Sequence, residues 1–120
     1  MMKRPSWAAL GACILALPLN AVAIGAIAVD DEEGQKNPGY GFATGMETRK
    51  KAEAAALKEC RASGNKNCKV AVWFEQCGAY AASSRHYGIG WGSSKRIAEA
   101  KAKEECDNSA CRIIVSQCED

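Results

Sequence analysis

Small residues alternating with larger ones occur twice in this chain, and the landmarks around them come in the same order both times. Tyr40-Gly41-Phe42-Ala43-Thr44-Gly45 is matched by Tyr87-Gly88-Ile89-Gly90-Trp91-Gly92. A segment of helical spacing follows each, Thr48 to Cys60 and Ser94 to Cys106. Each then has a further cysteine, Cys68 or Cys111, and an apolar run ending in Gln-Cys at Cys77 or Cys118. The entries agree as well, Gly25-Ala26-Ile27-Ala28 against Gly78-Ala79-Tyr80-Ala81. A supersecondary unit is therefore used twice, and each copy must bury its apolar face against the other. The pattern predicts strand, strand, helix, strand in copies of about 24–77 and 78–118. The fold class is α+β, a mainly antiparallel sheet with two helices packed on it.

The alternation says which face meets the helices. Successive side chains of a strand point to opposite faces. Gly39, Gly41, Ala43 and Gly45 thus share one face, and Tyr40, Phe42 and Thr44 the other; Gly88, Gly90 and Gly92 likewise oppose Tyr87, Ile89 and Trp91. Glycine weakens a strand unless another backbone approaches closely. The helices supply that backbone, because Ala52, Ala56, Cys60 and Ala98, Ala102, Cys106 each form a small-residue stripe at i, i+4, i+8. The aromatic set Tyr40, Phe42, Tyr87 and Trp91 is expected to fill the core between the two copies. The glycines from Gly88 to Lys95 match neither phosphate-loop spacing, so packing explains them.

The first segment reads as an export signal. Lys3 and Arg4 precede an apolar stretch from Trp7 to Leu19, and Ala21 and Ala23 stand where a signal peptidase reads small residues. Residues 1–23 are expected to be cleaved, in preference to serving as a membrane anchor. Residues 24–120 then form a single domain, secreted or periplasmic and with no membrane attachment. The formal net charge of +2 belongs to Lys3 and Arg4, leaving 14 basic and 14 acidic residues (16 − 2 against 14). A nucleic-acid binder needs clustered Lys and Arg, so nucleic acid is not an expected partner.

Of the seven cysteines, Cys13 goes with the signal, and Cys60, Cys68, Cys77, Cys106, Cys111 and Cys118 remain. An even number in a small exported chain reads as a disulfide framework. His86 is the only histidine and there is no C-x-x-C pair, so neither a metal nor any other cofactor is expected. Six cysteines allow 15 connectivities, and the repeat symmetry keeps seven of them. Local geometry favours Cys60–Cys68 and Cys106–Cys111, which leaves Cys77–Cys118 to join equivalent positions across a pseudo-twofold axis.

Thr48 and Ser94 are the expected N-caps, with Gly64 closing the first helix and Asp107-Asn108 ending the second. Arg49, Lys50, Lys51 and Lys95, Arg96 sit in first turns, where the helix dipole disfavours positive charge. A solvated face accounts for them better than a binding patch.

Three classes of function are open to such a chain. A hydrolase would draw on Ser83, Ser84, Ser93 or Ser94 with His86 as base, Ser84 and His86 sharing a face if that segment is a strand. Nothing resembles a nucleophile elbow or a converging triad, so an enzyme is not the expectation. A rigid, net-neutral domain suits protein binding, as an inhibitor or immunity protein in the cell envelope. The partner surface would be the acidic stretch Asp30-Asp31-Glu32-Glu33, set against a basic envelope-acting enzyme, together with Trp91. A secreted effector or adhesin acting on another cell is the alternative.

The strings Gly25-Ala26-Ile27-Ala28, Ala52-Glu53 with Ala56-Leu57 and Cys60, Cys68, and Cys77-Gly78-Ala79-Tyr80-Ala81 resemble a bacterial exported family, the domain of unknown function 4189, over Ile24 to Cys118. The resemblance implies a small secreted or cell-envelope α+β domain with this internal duplication. It brings no established activity and no catalytic residues.

Overall fold

The computed structural model describes residues 23–32 and 37–119. The signal segment up to residue 22, Cys13 within it, and Glu33 lie outside the described residues. The elements are β1 (Ile24–Asp30), β2 (Gly39–Met46), α1 (Arg49–Ala62), β3 (Lys69–Phe74), β4 (Cys77–Ala82), β5 (Tyr87–Gly92), α2 (Lys95–Cys106) and β6 (Arg112–Cys118). The unit of strand, strand, helix, strand is thus present twice, and the fold is α+β. The strands divide into two antiparallel sheets, one per copy, ordered β2-β1-β3 and β5-β4-β6.

Each sheet is covered on one face by its own helix and on the other by the opposite sheet, giving the layers α1, sheet, sheet, α2. Ala26, Ala28 and Ala43 pack against Ala52, Ala56 and Cys60 of α1. Ala79 and Ala81 pack against Ala98, Ala102 and Cys106 of α2. Between the sheets lie Ile27, Val29, Val72, Phe74, Tyr80, Ala82 and Val115. The central strands β1 and β4 are covered on both faces, which is why they read as nearly continuous runs of uncharged residues.

The helices approach the glycine faces as the alternation requires. A Cβ on Gly41 would strike the main chain of Glu59 and Cys60, and one on Gly90 the main chain of Ala98 and Ala102. The opposing backbone leaves no flexible side chain to give way. Thr48 Oγ1 accepts from Lys51 N and Ser94 Oγ from Ile97 N, each at 3.1 Å. The basic first turn of α1 is answered locally, Arg49 pairing with Glu53 at 2.8 Å and Lys51 with Glu47 at 2.6 Å. Asp107 ends α2 in the left-handed region, φ 50°.

The aromatic set does not fill the core. Tyr40 and Phe42 are 40% and 37% exposed, Tyr87 and Trp91 58% and 56%. All four belong to edge strands: β2 is an edge of the first sheet and β5 of the second. Their inward faces overhang the rim, so residues of the central strands and of β3 and β6 fill the interior instead.

The bridges are Cys60–Cys68, Cys106–Cys111 and Cys77–Cys118. The first two tie the end of each helix to the strand that follows. The third differs from the arrangement across a pseudo-twofold axis, since Cys77 opens β4 and Cys118 closes β6 as direct cross-strand neighbours in one sheet. Only Glu75 and Gln76 separate β3 from β4, so the cysteine that ends the first repeat already belongs to the second sheet.

Gly90→Ala is expected to lower unfolding stability by about 3 kcal/mol through overpacking against α2, read as a shift of the urea midpoint at unchanged m-value. Loop-closure entropy ranks the bridges. Replacing Cys77 and Cys118 (separation 41) by alanine should cost about 4 kcal/mol, and replacing Cys60 and Cys68 (separation 8) nearer 2.6 kcal/mol. Equal losses in denaturant titration would contradict that ranking.

Candidate functional site

The acidic stretch leaves β1 with its side chains on alternate faces, and this splits their roles. Asp30 continues the helix-facing row of Ala26 and Ala28 and is only 6% exposed. Its Oδ2 accepts from Lys66 N at 3.2 Å and Asn67 N at 3.1 Å, fastening the loop between α1 and β3. Asp30 therefore faces inward and offers nothing to a partner, contrary to the sequence expectation. Glu32 accepts from the side-chain amide of Asn67 and keeps an exposed position. Glu33 lies outside the described residues.

Asp31 points the other way, into a polar cluster where the two copies meet. Its Oδ2 accepts from the Tyr80 hydroxyl at 2.6 Å, and its Oδ1 lies 3.3 Å from Lys69 Nζ. Tyr80 is 1% exposed and reaches from β4, in the second sheet, to the end of β1, in the first. Burial raises its hydroxyl pKa first, and donation to Asp31 and the nearby negative charge raise it further. The Tyr80 ring stacks on Tyr87 with centroids 6.0 Å apart, and Lys69 Nζ stands 5.9 Å from the Tyr87 centroid. A cavity of about 220 Å³ opens at this end, lined by Asp31, Lys69, Tyr80, Ser83 and His86 among others.

The loop from β4 to β5 brings Ser83, Ser84 and His86 to the rim of that cavity. Ser83 N donates to His86 O at 2.8 Å, and His86 N donates to Ser83 Oγ at 3.1 Å. Ser83 thus closes a tight turn with the main chain of His86, using both its own amide and its hydroxyl. The Ser94 hydroxyl is occupied as the cap of α2. All six cysteines of the domain are in bridges, which removes them as thiolates.

A cleft runs from this cluster along the side where β3 and β5 form parallel rims. Two cavities follow one another, about 540 Å³ beside Lys69, Tyr87 and Ile89, and about 410 Å³ beside Trp73, Phe74 and Trp91; Ala71 and Ile89 border both. Tyr87 and Trp91 stand at opposite ends of the β5 rim, more than half exposed. Arg49 lies 5.0 Å above the Trp73 ring at the Trp91 end. The structure separates the candidate partner residues accordingly: Trp91 is at one end of the cleft and Asp31 at the other.

Sequence reasoning missed Tyr80, Lys69 and Asn67. The signal for Tyr80 was present, since it is the one large residue in Gly78-Ala79-Tyr80-Ala81 and stands where the first copy has Ile27. Its partner could not be found that way, because Asp31 lies 49 residues earlier. A folded-state pKa above the ordinary value of about 10 means that Tyr80 stabilises the fold below pH 10, and that this contribution is lost as pH rises beyond it. Absorbance titration at 295 nm should show one of the three tyrosines ionising only as the protein unfolds. Tyr80→Phe should remove that delayed step.

Neither curated proteins nor solved structures yield a match to the chain. A family model does match, over residues 24–118, and these limits enclose every described strand, both described helices and all three bridges. With its duplicated unit and its paired cysteines inside the matched span, the chain belongs to the family described as Domain of unknown function (DUF4189).

Proposed function

We propose that this small disulfide-stabilised domain is a protein-binding module of an exported compartment, acting as an inhibitor or immunity protein in the cell envelope. Three bridges in a domain of this size suit an oxidising environment. Among the described residues no helix is long and apolar enough to cross a membrane. The reading of residues 1–23 as a cleaved signal accords with both.

The observation that carries the reading is the cleft between the β3 and β5 rims, with Tyr87 and Trp91 exposed at its ends. Tryptophan and tyrosine are the residues most enriched at energetic hot spots of protein interfaces. Here they stand on a strand held rigid by α2, so little conformational entropy is lost on binding. Asp31 and Glu32 remain as the acidic contribution at the far end, with Asp30 withdrawn into the loop.

Capture with the oxidised protein from envelope and supernatant fractions tests this. A protein retained by the native chain should bind Trp91→Ala about 30-fold more weakly, the loss of a hot-spot anchor. Lys50→Ala, exposed on α1, should leave affinity unchanged. Equal affinity for Trp91→Ala would remove the cleft as the binding surface.

A further inference from the structure

Four strands end the two sheets, and the chain protects three of their edges by two means. Lone edge strands present unpaired amides and carbonyls that pair readily with another chain. On β3, the pairing of Ile27 with Val72 and of Ala28 with Val70 leaves Ala71 as a bulge in mid-strand. On β6, the pairing of Tyr80 with Val115 and of Ala81 with Ile113 makes Ile114 a bulge in the same way. On β5, Ile89 N donates outward to Glu105 Oε1 of α2 at 2.7 Å, so a side chain occupies the place of a neighbouring strand.

Among the described residues, the fourth edge has no such device along its regular part. Gly39 to Ala43 pair with Asp30 to Ala26 in unbroken register. The irregularity comes only beyond Ala43, where Gly45 N is taken up by Glu119 Oε1 at 2.8 Å. By the repeat, Phe42 stands where Ile89 does and Glu59 where Glu105 does. Among the described residues, however, no hydrogen bond joins Phe42 N to Glu59. Tyr40 and Phe42 lie exposed on this strand, beside a groove of about 670 Å³ that α1 borders with Ala55, Lys58, Glu59 and Ser63.

The geometry points to self-association through this edge: two copies pair antiparallel through β2, joining their first sheets into one of six strands. The stretch Gly39–Ala43 is self-complementary about Gly41. Tyr40 of each copy falls opposite Phe42 of the other, so the two residues with outward amides exchange hydrogen bonds while their rings meet on one face. The other face carries Gly39, Gly41 and Ala43. Above it, α1 sits over β1 and β2, so strand spacing brings the two copies of α1 to about 10 Å, the usual distance of packed helices. The two helices then run antiparallel past Glu59. Small Ala55 faces Ser63, and Glu59 of each copy meets its equivalent near the axis, with Lys58 of each copy flanking the pair and offsetting its charge. Charge, size and main-chain pairing all agree with a twofold interface.

This surface is opposite the β3–β5 cleft, so the proposal stands apart from the binding function. Sedimentation equilibrium of the oxidised full chain is the test. A concentration-dependent dimer is expected, weakened at least about tenfold by Phe42→Lys and left intact by Trp91→Ala. Lys58→Glu alone should weaken it by like-charge repulsion, and adding Glu59→Lys should restore it; the restoration keeps the test informative if Phe42→Lys fails to fold. A chain monomeric up to about 1 mM, or a dimer that Phe42→Lys leaves unchanged or Trp91→Ala abolishes, would overturn the proposal. So would a monomer whose β2 edge pairs only with a strand of a different protein.

Discussion

Contact between helix main chain and strand main chain governs this molecule. Because α1 rests on Gly41 and α2 on Gly90, the seam under each helix is lined by glycine, alanine and half-cystine, and larger residues such as Trp73 and Ile113 pack only at its margins. Large apolar side chains are displaced to the opposite face, so each unit carries one thin, close-packed face and one thick one. The thick faces must be covered, and covering them with one another produces the two-sheet interior of Ile27, Val29, Val72, Phe74, Tyr80 and Val115. An alanine seam buries little area per residue, at roughly 25 cal/mol per Å² of apolar surface. It is at the ends of those two seams that Cys60–Cys68 and Cys106–Cys111 are placed. The disulfides supply by covalent constraint what the seams do not supply by burial.

Much of this was legible in the sequence, because it depends on local periodicity. Alternation within six residues shows which face of β2 or β5 is thin, and the alanine stripe at i, i+4, i+8 shows which face of the helix meets it. The caps Thr48 and Ser94 and the bridges nearest in sequence follow from the same short-range logic. What was not legible is relative placement. Whether six strands form one sheet or two depends on which edges pair, and the alternation in Tyr40 to Gly45 is the same in either case. Alternation alone places the aromatic rings in the interior, because their strand face is the inward one. That inference holds for a central strand and fails for an edge, where the inward face overhangs the rim. Asp30 illustrates the same limit in a polar residue. Its four-carboxylate neighbourhood looks solvated, while its position on the helix-facing row draws it into the α1–β3 loop.

Duplication fixes the scaffold in both halves and leaves the departures from symmetry to mark where the halves have specialised. Ile27 of the first copy becomes Tyr80 in the second, and the added hydroxyl reaches Asp31 across the interior. A purely apolar layer would tolerate sliding of one sheet over the other, since dispersion has no preferred register. The Tyr80–Asp31 bond, with Lys69 balancing the carboxylate, specifies one. Cys77 replaces Ile24 in the same way and locks β4 to β6, so the second sheet is braced more than the first. Among the described residues, the less constrained half is also the half with an edge, Gly39 to Ala43 of β2, that carries neither a bulge nor a side chain bonded to an outward amide.

The edges carry this asymmetry to the surface. A three-stranded sheet has two edges for one interior strand, so two such sheets expose as many unpaired rows as a much larger protein would. Bulges at Ala71 and Ile114 disrupt the register a foreign strand would need, and Glu105 occupies the outward amide of Ile89. These are costs to local regularity, and the chain bears them at three edges. Glu59 occupies the position equivalent to Glu105 with the same side chain, so composition alone does not explain the difference at the fourth. The neighbours do differ: Lys58 stands beside Glu59, where Glu104 stands beside Glu105. An acid beside an acid is repelled from a shared surface, whereas a lysine beside an acid makes a pair of opposite charges that a twofold axis can match to itself. That one exchange is the local sequence difference on which the proposed self-association through β2 draws.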